Sequence, residues 1–370
     1  MYKTVPASHS EEEYYSPDDF IKAPKIDAHL HYDTSDDSYL VYADSINMHL
    51  ISINVDTGLS IDEQLSVSQS LKKKHPDKYN FFGTFSSAEI KDDQFAKNTI
   101  ERIKKCMDTG AKGIKIWKNI GMVLQDENGK YIMADDPVFY PLYDFLEKEG
   151  IPLLAHLGEP RNCWLSYNDI TTYGDLQYYM NYPEYHMYYN DKVPSYEQQI
   201  AARDHLLEIF PRLKFVGAHL GSLEWDIDEA AKRLDRYPEF CVDLSARMGH
   251  IHLQTIRDSE KVRNFFIKYK DRLLYGSDCF ITGKNTSFKS IILQMIAPDL
   301  FVKRICKIVY RTWLNDWLFF ATDETVLSEK YNTENTSEAV KGLRLPKHIV
   351  DGIFYKTACN IYHIHPAFSH

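Results

Sequence analysis

The sequence is short of positive charge, of paired cysteines and of long apolar runs, and each shortage excludes a class of protein. Over 370 residues, Lys and Arg total 43 against 53 Asp and Glu, a formal net charge of −10. Nucleic acids and anionic membrane surfaces are bound by clustered positive charge, so neither is expected as a partner. No apolar run approaches the roughly 20 residues that cross a bilayer, so no membrane span is expected either. Residues 1–13 are polar and lack the apolar centre of a signal peptide, which leaves the cytoplasm as the default location. The six cysteines, Cys106, Cys163, Cys241, Cys279, Cys306 and Cys359, are dispersed and form no CxxC pair. Free thiols in a reducing compartment are expected, and a thiolate metal site is not. No internal repeat and no Gly/Ser- or Pro-rich linker divides the chain, so residues 1–370 are read as one domain.

What recurs is a short apolar run followed by a longer amphipathic segment. The apolar runs are Lys25–Tyr32, His49–Asp56, Tyr79–Phe85, Gly113–Trp117, Ile151–His156, Lys214–His219, Phe240–Leu244 and Arg272–Ser277. Most are nearly continuous hydrophobics, as parallel strands covered on both faces should be. Between them the spacing predicts helices over Asp62–His75, Asp92–Thr109, Asp136–Glu149, Ser195–Phe210, Leu223–Tyr237 and Asp258–Lys270. Pro137 in the first turn and Gly150 at the end fix the limits of the third of these. Strand–helix alternation repeated over the barrel segment 25–280 predicts an α/β (β/α)8 TIM barrel. The open doubly wound sheet is the alternative, but its G-x-G-x-x-G after the first strand is absent.

Three segments fall outside the repeat. Residues 1–24 are an N-terminal arm. The connection 158–195 is far longer than the usual two to six or so residues of a βα loop, and it carries Trp164 with tyrosines 167, 173, 178, 179, 182, 185, 188 and 189. Such a Tyr-rich loop suits a lid over the site or a contact in a homo-oligomer. Residues 281–370 form a helical extension, with a Trp313/Trp317 helix, a polar turn near Asn332–Ser337, and His348–Tyr362 as the last barrel helix.

In a barrel, residues at the C-terminal ends of strands face the catalytic mouth. Metal-type ligands fall there strand after strand: His29 and His31 on the first, His156 on the fifth, His219 on the sixth and Asp278 after the eighth. Period-two alternation puts both first-strand imidazoles on one side, with Leu30 opposite. Lys115 lies on the fourth strand, and period two sets Lys118 on the other face. Taken singly, each position has a plain reading, a hydrogen-bonded strand-end His or a capping Asp. Together they suit zinc, with manganese or iron as alternatives, better than calcium. Glu159, Arg161, Arg247 and Trp117 are weaker candidates for contacting a substrate. Either arginine could clamp a carboxylate or form a structural ion pair. His186, His250 and His252 sit at no strand end and are read as structural or surface residues.

The H-x-H of the first strand, His on the fifth and sixth and Asp on the eighth resemble the amidohydrolase superfamily. The His-Leu-Gly repeats at His156 and His219, with the closing Thr357–Tyr362, resemble its amidohydrolase-related branch. The resemblance covers about residues 25–280 and implies a metal-dependent hydrolase acting on an amide, ester or lactone of a small molecule. That branch also holds non-oxidative decarboxylases and hydratases. It implies that His29, His31 and Asp278 bind the more buried ion. His156 joins that ion, or with His219 holds a second one. Lys115, carboxylated by CO2, would bridge two ions; unmodified, it leaves a single-ion site with His219 catalytic. Asp278 is implied as the acceptor of a proton from the attacking water.

Overall fold

The computed structural model describes residues 12–282, 298–328 and 338–369. Nine parallel strands form one curled sheet: β1 (Lys25–Asp33), β2 (Met48–Ile53), β3 (Tyr79–Thr84), β4 (Ile114–Ile116), β5 (Leu153–Ala155), β6 (Phe215–Gly217), β7 (Phe240–Asp243), β8 (Leu273–Leu274) and β9 (Phe280–Thr282). Their order is β8-β7-β6-β5-β4-β3-β2-β1-β9. Each expected apolar run contains a strand, and β9 is an addition. It arises because the run after β8 breaks and resumes: Ala28 N donates to Tyr275 O (2.9 Å) and Asp278 N to His29 O (2.7 Å) before β9 pairs with β1. Gly276 permits that approach, because a Cβ there would lie 2.7 Å from His29 Cβ.

Successive side chains divide between two apolar clusters, as the alternation of a strand requires. Leu50, Phe81, Leu153, Phe215 and Leu273 pack outward with the helices, while Ile51, Phe82, Leu154, Val216 and Leu274 pack inward. Ala358 and Tyr362 from the last helix, with Ile364 just beyond it, belong to the inward cluster, so this segment closes one mouth of the curled sheet. The other mouth receives the C-terminal ends of the strands.

The helices Phe95–Asp108, Tyr140–Glu149, Tyr196–Ile209, Ile227–Arg236 and Ser259–Tyr269 lie within the expected ranges, and Ile61–Lys74 begins one residue before its own. Ser60 and Ser195 begin two of them with capping boxes, and Gly150 ends another in the left-handed conformation at φ 63°. Ser38–Asp44, Met248–Arg257 and, inside the Tyr-rich connection, Tyr173–Asn181 are helices that were not expected, as are the single turns Asn119–Met122 and Ala218–Gly221. The segment expected as one helix over His348–Tyr362 is Lys347–Asp351, a π-turn and then Thr357–Tyr362. Pro298–Ala321 carries the buried Trp313 and Trp317. Thr325–Ser328 and Glu338–Lys341 pair as an antiparallel ribbon. The turn expected near Asn332–Ser337 lies outside the described residues, as do residues 1–11 of the arm. All six cysteines are free. Among the described residues no helix is long and apolar enough to cross a membrane.

Candidate active site

His29 and His31 lie on β1, both buried, and Leu30 between them packs outward as alternation requires. Each imidazole is oriented through Nδ1. His29 Nδ1 is 2.6 Å from Asp243 Oδ2, His31 Nδ1 is 2.8 Å from Ile53 O, and His219 Nδ1 is 3.0 Å from Ser245 O. All three partners are oxygen acceptors, so each Nδ1 carries the proton and each Nε2 keeps its lone pair. Two of those lone pairs face the Asp278 carboxylate: Oδ1 is 3.3 Å from His31 Nε2 and 3.7 Å from His29 Nε2. His29, His31 and Asp278 offer ligand atoms within 4.8 Å of one another, as do His29, His219 and Asp243. The first group fits a divalent transition metal. In the second, Asp243 is occupied as the carboxylate that fixes the tautomer of His29, an arrangement typical behind a metal-ligating histidine.

Asp243 at the end of β7 was not singled out from the sequence. Its Oδ1 accepts from His219 N (2.8 Å), Ser245 N (3.1 Å) and Ser245 Oγ (2.5 Å). Burial opposes its ionisation, but His29, His219 and Ser245 outweigh burial and hold the carboxyl well below the usual range. The same balance holds Asp278 low: burial raises it, and His31, His219 and His29 lower it further. Burial pushes the His29 and His219 imidazoles down, with Lys115 adding to the first and His156 to the second. The backbone is strained here too: His219 and Asp278 have φ near +59°, a region costly for residues with a Cβ and concentrated at functional sites.

Lys115 shares the interior of the sheet, with Nζ 3.5 Å from His29 Nε2, and burial pushes it down to about 8. His156 is turned differently. Its ring sits 4.3 Å from that of His219, but Nε2 lies 3.5 Å from Glu159 Oε2 and has no hydrogen-bond partner. Burial brings its pKa to about 4. It belongs to neither ligand group, and its orphaned nitrogen is available to an ion or to Glu159. Glu159 itself is ion-paired with Lys118.

These residues line a cavity of about 450 Å3. Trp117, Glu159 and Arg247 line it, as their sequence positions suggested. Lys118 lines it as well, contrary to the opposite-face reading. β4 ends at Ile116 and Lys118 takes a helical conformation, so strand alternation no longer governs its direction. Arg161 is not among the lining residues. A 3-10 turn carries it away, and its guanidinium lies 4.4 Å from the Trp225 ring centroid. Of the residues read as structural or surface, His250 is buried and lines the cavity, with Nε2 3.0 Å from Asp175 Oδ2 of the Tyr-rich segment. His186 Nε2 meets Leu165 O at 2.8 Å, and His252 is buried beside Phe319 at 4.5 Å between ring centroids. Thr172, Asp175, Gln177, Tyr178 and Tyr179 of the long connection line the cavity too.

Structural comparison places the chain beside several solved proteins of low identity. One is 2,6-dihydroxybenzoate decarboxylase from Rhizobium, at 14% identity over 92% of this chain and 98% of that one, TM-score 0.48. Another is 4-oxalomesaconate hydratase from Rhodopseudomonas palustris, at 13% over 92% and 95%, TM-score 0.46. A third is dihydroorotase from Saccharomyces cerevisiae, at 12% over 93% and 85%, TM-score 0.46. No curated protein matches the sequence. The amidohydrolase family model matches residues 83–364, a span that leaves out His29 and His31 but holds the other candidate ligands. With that match covering most of its 370 residues, the chain belongs to the amidohydrolase family.

Proposed function

We propose that the protein is a metal-dependent hydrolase opening an amide, ester or lactone bond of a small molecule. The reading takes the curled sheet as a (β/α)8 barrel whose eighth strand is the interrupted run Leu273–Thr282. It takes residues 1–370 as one domain, 158–195 as a lid and 281–370 as the helical extension. One observation carries it: His29 and His31, each with Nδ1 held by an oxygen acceptor, set their Nε2 atoms 3.7 and 3.3 Å from Asp278 Oδ1 in one cavity that His219 also lines.

His29, His31 and Asp278 would hold the ion, with zinc the first choice and manganese or iron the alternatives. His156 or His219 would complete the set. A bound ion supplies Lewis acidity and brings the pKa of a water to near neutrality. Asp278 keeps its side chain 23% exposed, so it can take the proton of the attacking water and return it to the leaving group. His219 can hold the charge that develops on a substrate carbonyl oxygen. Lys115, if carboxylated, would bridge to a second ion.

A second reading, non-oxidative decarboxylation or hydration of a small carboxylic acid, is favoured by the turn of His156 toward Glu159. That turn leaves one complete ligand group with Asp278, as a single-ion site requires. The test is metal content on protein purified without chelator, followed by a screen of lactones, amides and carboxylic acids. One or two transition-metal ions per chain are expected, and the paired change His29→Ala and His31→Ala should remove most of them. Full metal content in that variant would sink the assignment, and turnover of acids alone would replace the first reading with the second. Native intact mass should show added CO2 if Lys115 bridges two ions, and Lys115→Ala should then cost one of them.

A further inference from the structure

The turn that carries His219 is left-handed, against the preference of its residues. His219, Leu220, Gly221 and Ser222 follow one another at φ +59°, +58°, +60° and +56°. In this conformation a Cβ lies too close to the following carbonyl oxygen. Only Gly221 lacks one, so the turn persists because its surroundings fix it. Its own bonds, Ser222 N to His219 O at 3.2 Å and Leu223 N to Leu220 O at 3.1 Å, lie at the long end of the normal range. The contacts that fix it come from three directions. Asp243 Oδ1 accepts from His219 N at 2.8 Å, and Ser222 Oγ donates to Leu157 O, beside His156, at 3.0 Å. The others come from one face of the helix Tyr196–Ile209. Tyr196 Oη donates to Ser222 O and Arg203 Nη1 to Gly221 O, each at 2.5 Å. Between them Gln199 Nε2 donates to Gly121 O at 2.7 Å, beyond β4. Residues 196, 199 and 203 stand at i, i+3 and i+7, and all three are buried. The charge of Arg203 is already met by Asp204, 2.7 Å from Nη2, and its guanidinium lies 5.2 Å from the Phe240 ring centroid. Neither Tyr196 nor Arg203 lines the cavity, so neither is placed to touch a substrate or an ion there.

We propose that Tyr196 and Arg203 are positioning residues for His219. By holding the carbonyls of Ser222 and Gly221 they keep the turn left-handed. That in turn keeps His219 Nδ1 at Ser245 O and the ring beside those of His29 and His156, at 5.0 and 4.3 Å between centroids. Without the two clamps the backbone relaxes and the imidazole loses its fixed place. The inference rests on the proposed use of His219 in the site, and it holds for either reaction.

The test begins on chelated full-length protein, so that its first result does not depend on a bound ion. Tyr196→Phe and Arg203→Met each remove one clamp, and in the second Asp204 keeps Arg233 as a partner at 3.0 Å. Hydrogen exchange of the Ser222 and Leu223 amides should speed about tenfold in each variant, as one lost hydrogen bond requires, while the Val216 amide of β6 is unchanged. Arg203→Lys, which retains a donor, should restore much of the protection. Where Arg203→Met fails to fold, Tyr196→Phe, which removes a single oxygen atom, carries the test. The specific signature lies in the imidazole nitrogen resonances, with His219 identified as the signal missing from His219→Asn. In the native chain His219 should hold its proton on Nδ1; in Tyr196→Phe it should average between tautomers while His29 and His31 stay as they were. Unchanged exchange together with unchanged His219 signals in Tyr196→Phe overturns the proposal. So does a disturbance shared equally by His29 and His31, the mark of general loosening. Zinc is then added to the same samples and competed against a chelator. Any loss of affinity caused by Tyr196→Phe should be absent when His219 is already Asn, and a loss that persists there overturns action through His219. A native chain that binds no zinc sinks the metal site and leaves the positioning result standing.

Discussion

Replacing Asp243 by Asn tests whether the candidate ligands are held by the hydrogen bonds behind them. The change preserves shape but gives one end of the group two donors. Oδ1 faces three donors, His219 N, Ser245 N and Ser245 Oγ, while Oδ2 faces only His29 Nδ1. The amide oxygen is therefore drawn to the Oδ1 position, and the NH2 is left against His29 Nδ1. Two donors cannot share that contact, so His29 must move its proton to Nε2 or turn away. Either response withdraws the lone pair that faces Asp278 at 3.7 Å. Loss of such an outer partner costs about 10–100-fold in metal affinity, which is about 1.4–2.7 kcal/mol. Losing the charge-assisted hydrogen bond costs roughly 1.5–3 kcal/mol of folding stability as well. Zinc competition against a chelator, run beside thermal melts, reads both. Ser245→Ala leaves the Asp243–His29 bond in place and should weaken zinc binding much less. Native zinc affinity in folded Asp243→Asn would refute the argument that this carboxylate sets the tautomer.

Asp278→Asn keeps an oxygen donor but loses the proton acceptor, so kcat should collapse while much of the metal remains; near-normal turnover with metal bound would remove Asp278 as the base. His219→Asn should lower turnover without metal loss in a single-ion site and strip an ion from a two-ion site, read by activity and metal content on one preparation. If residues 158–195 are a lid, their amides should gain hydrogen-exchange protection when an inhibitor binds, whereas full protection in the free protein would mark an oligomer contact. Burial holds His49 down to about 3, with its nitrogens meeting Asp77 O at 3.1 Å and the Asn80 amide at 2.8 Å. Its folded pKa lies below the ordinary value of about 6.5, so its stabilising contribution is complete above that pH and is lost on acidification toward about 3. The slope is about 1.4 kcal/mol per pH unit within that window, and His49→Gln should flatten it in urea titrations at several pH values; parallel acid limbs would count against it.

The strands were legible because burial on both faces leaves a plain mark, a short run with almost no polar residue. β9 was not, since Phe280–Thr282 is the resumption of a strand already counted, and its break at Gly276–Asp278 depends on how closely β1 passes. The helix Met248–Arg257 was missed because it runs almost directly into the predicted one at Ser259. The signal for Asp243 was present, a carboxylate closing the otherwise apolar Phe240-Cys241-Val242. In sequence a strand-end Asp reads equally as a cap for the next helix, and only its contact with His29, far along the chain, shows its role.

Side-chain direction was legible only as far as the backbone stayed regular. Alternation gave His29 and His31 a common side, and the strand pairing keeps it so despite a register shift between Asp27 and Leu30. The same rule applied to Lys118 failed two residues beyond the end of β4, where the chain had already turned. Arg161 and Arg247 show the limit from the other direction. Both follow strand ends in the sequence, and either could have clamped a substrate. Their fates are decided by partners far along the chain: Trp225 draws Arg161 aside, while the Asp243–Ser245 anchor holds the turn that points Arg247 into the cavity. Local pattern therefore indicates which residues can reach the mouth, and long-range packing selects among them. That selection is why the candidate ligands, which sit on or beside strands, could be read from sequence with more reach than the residues that would recognise a substrate.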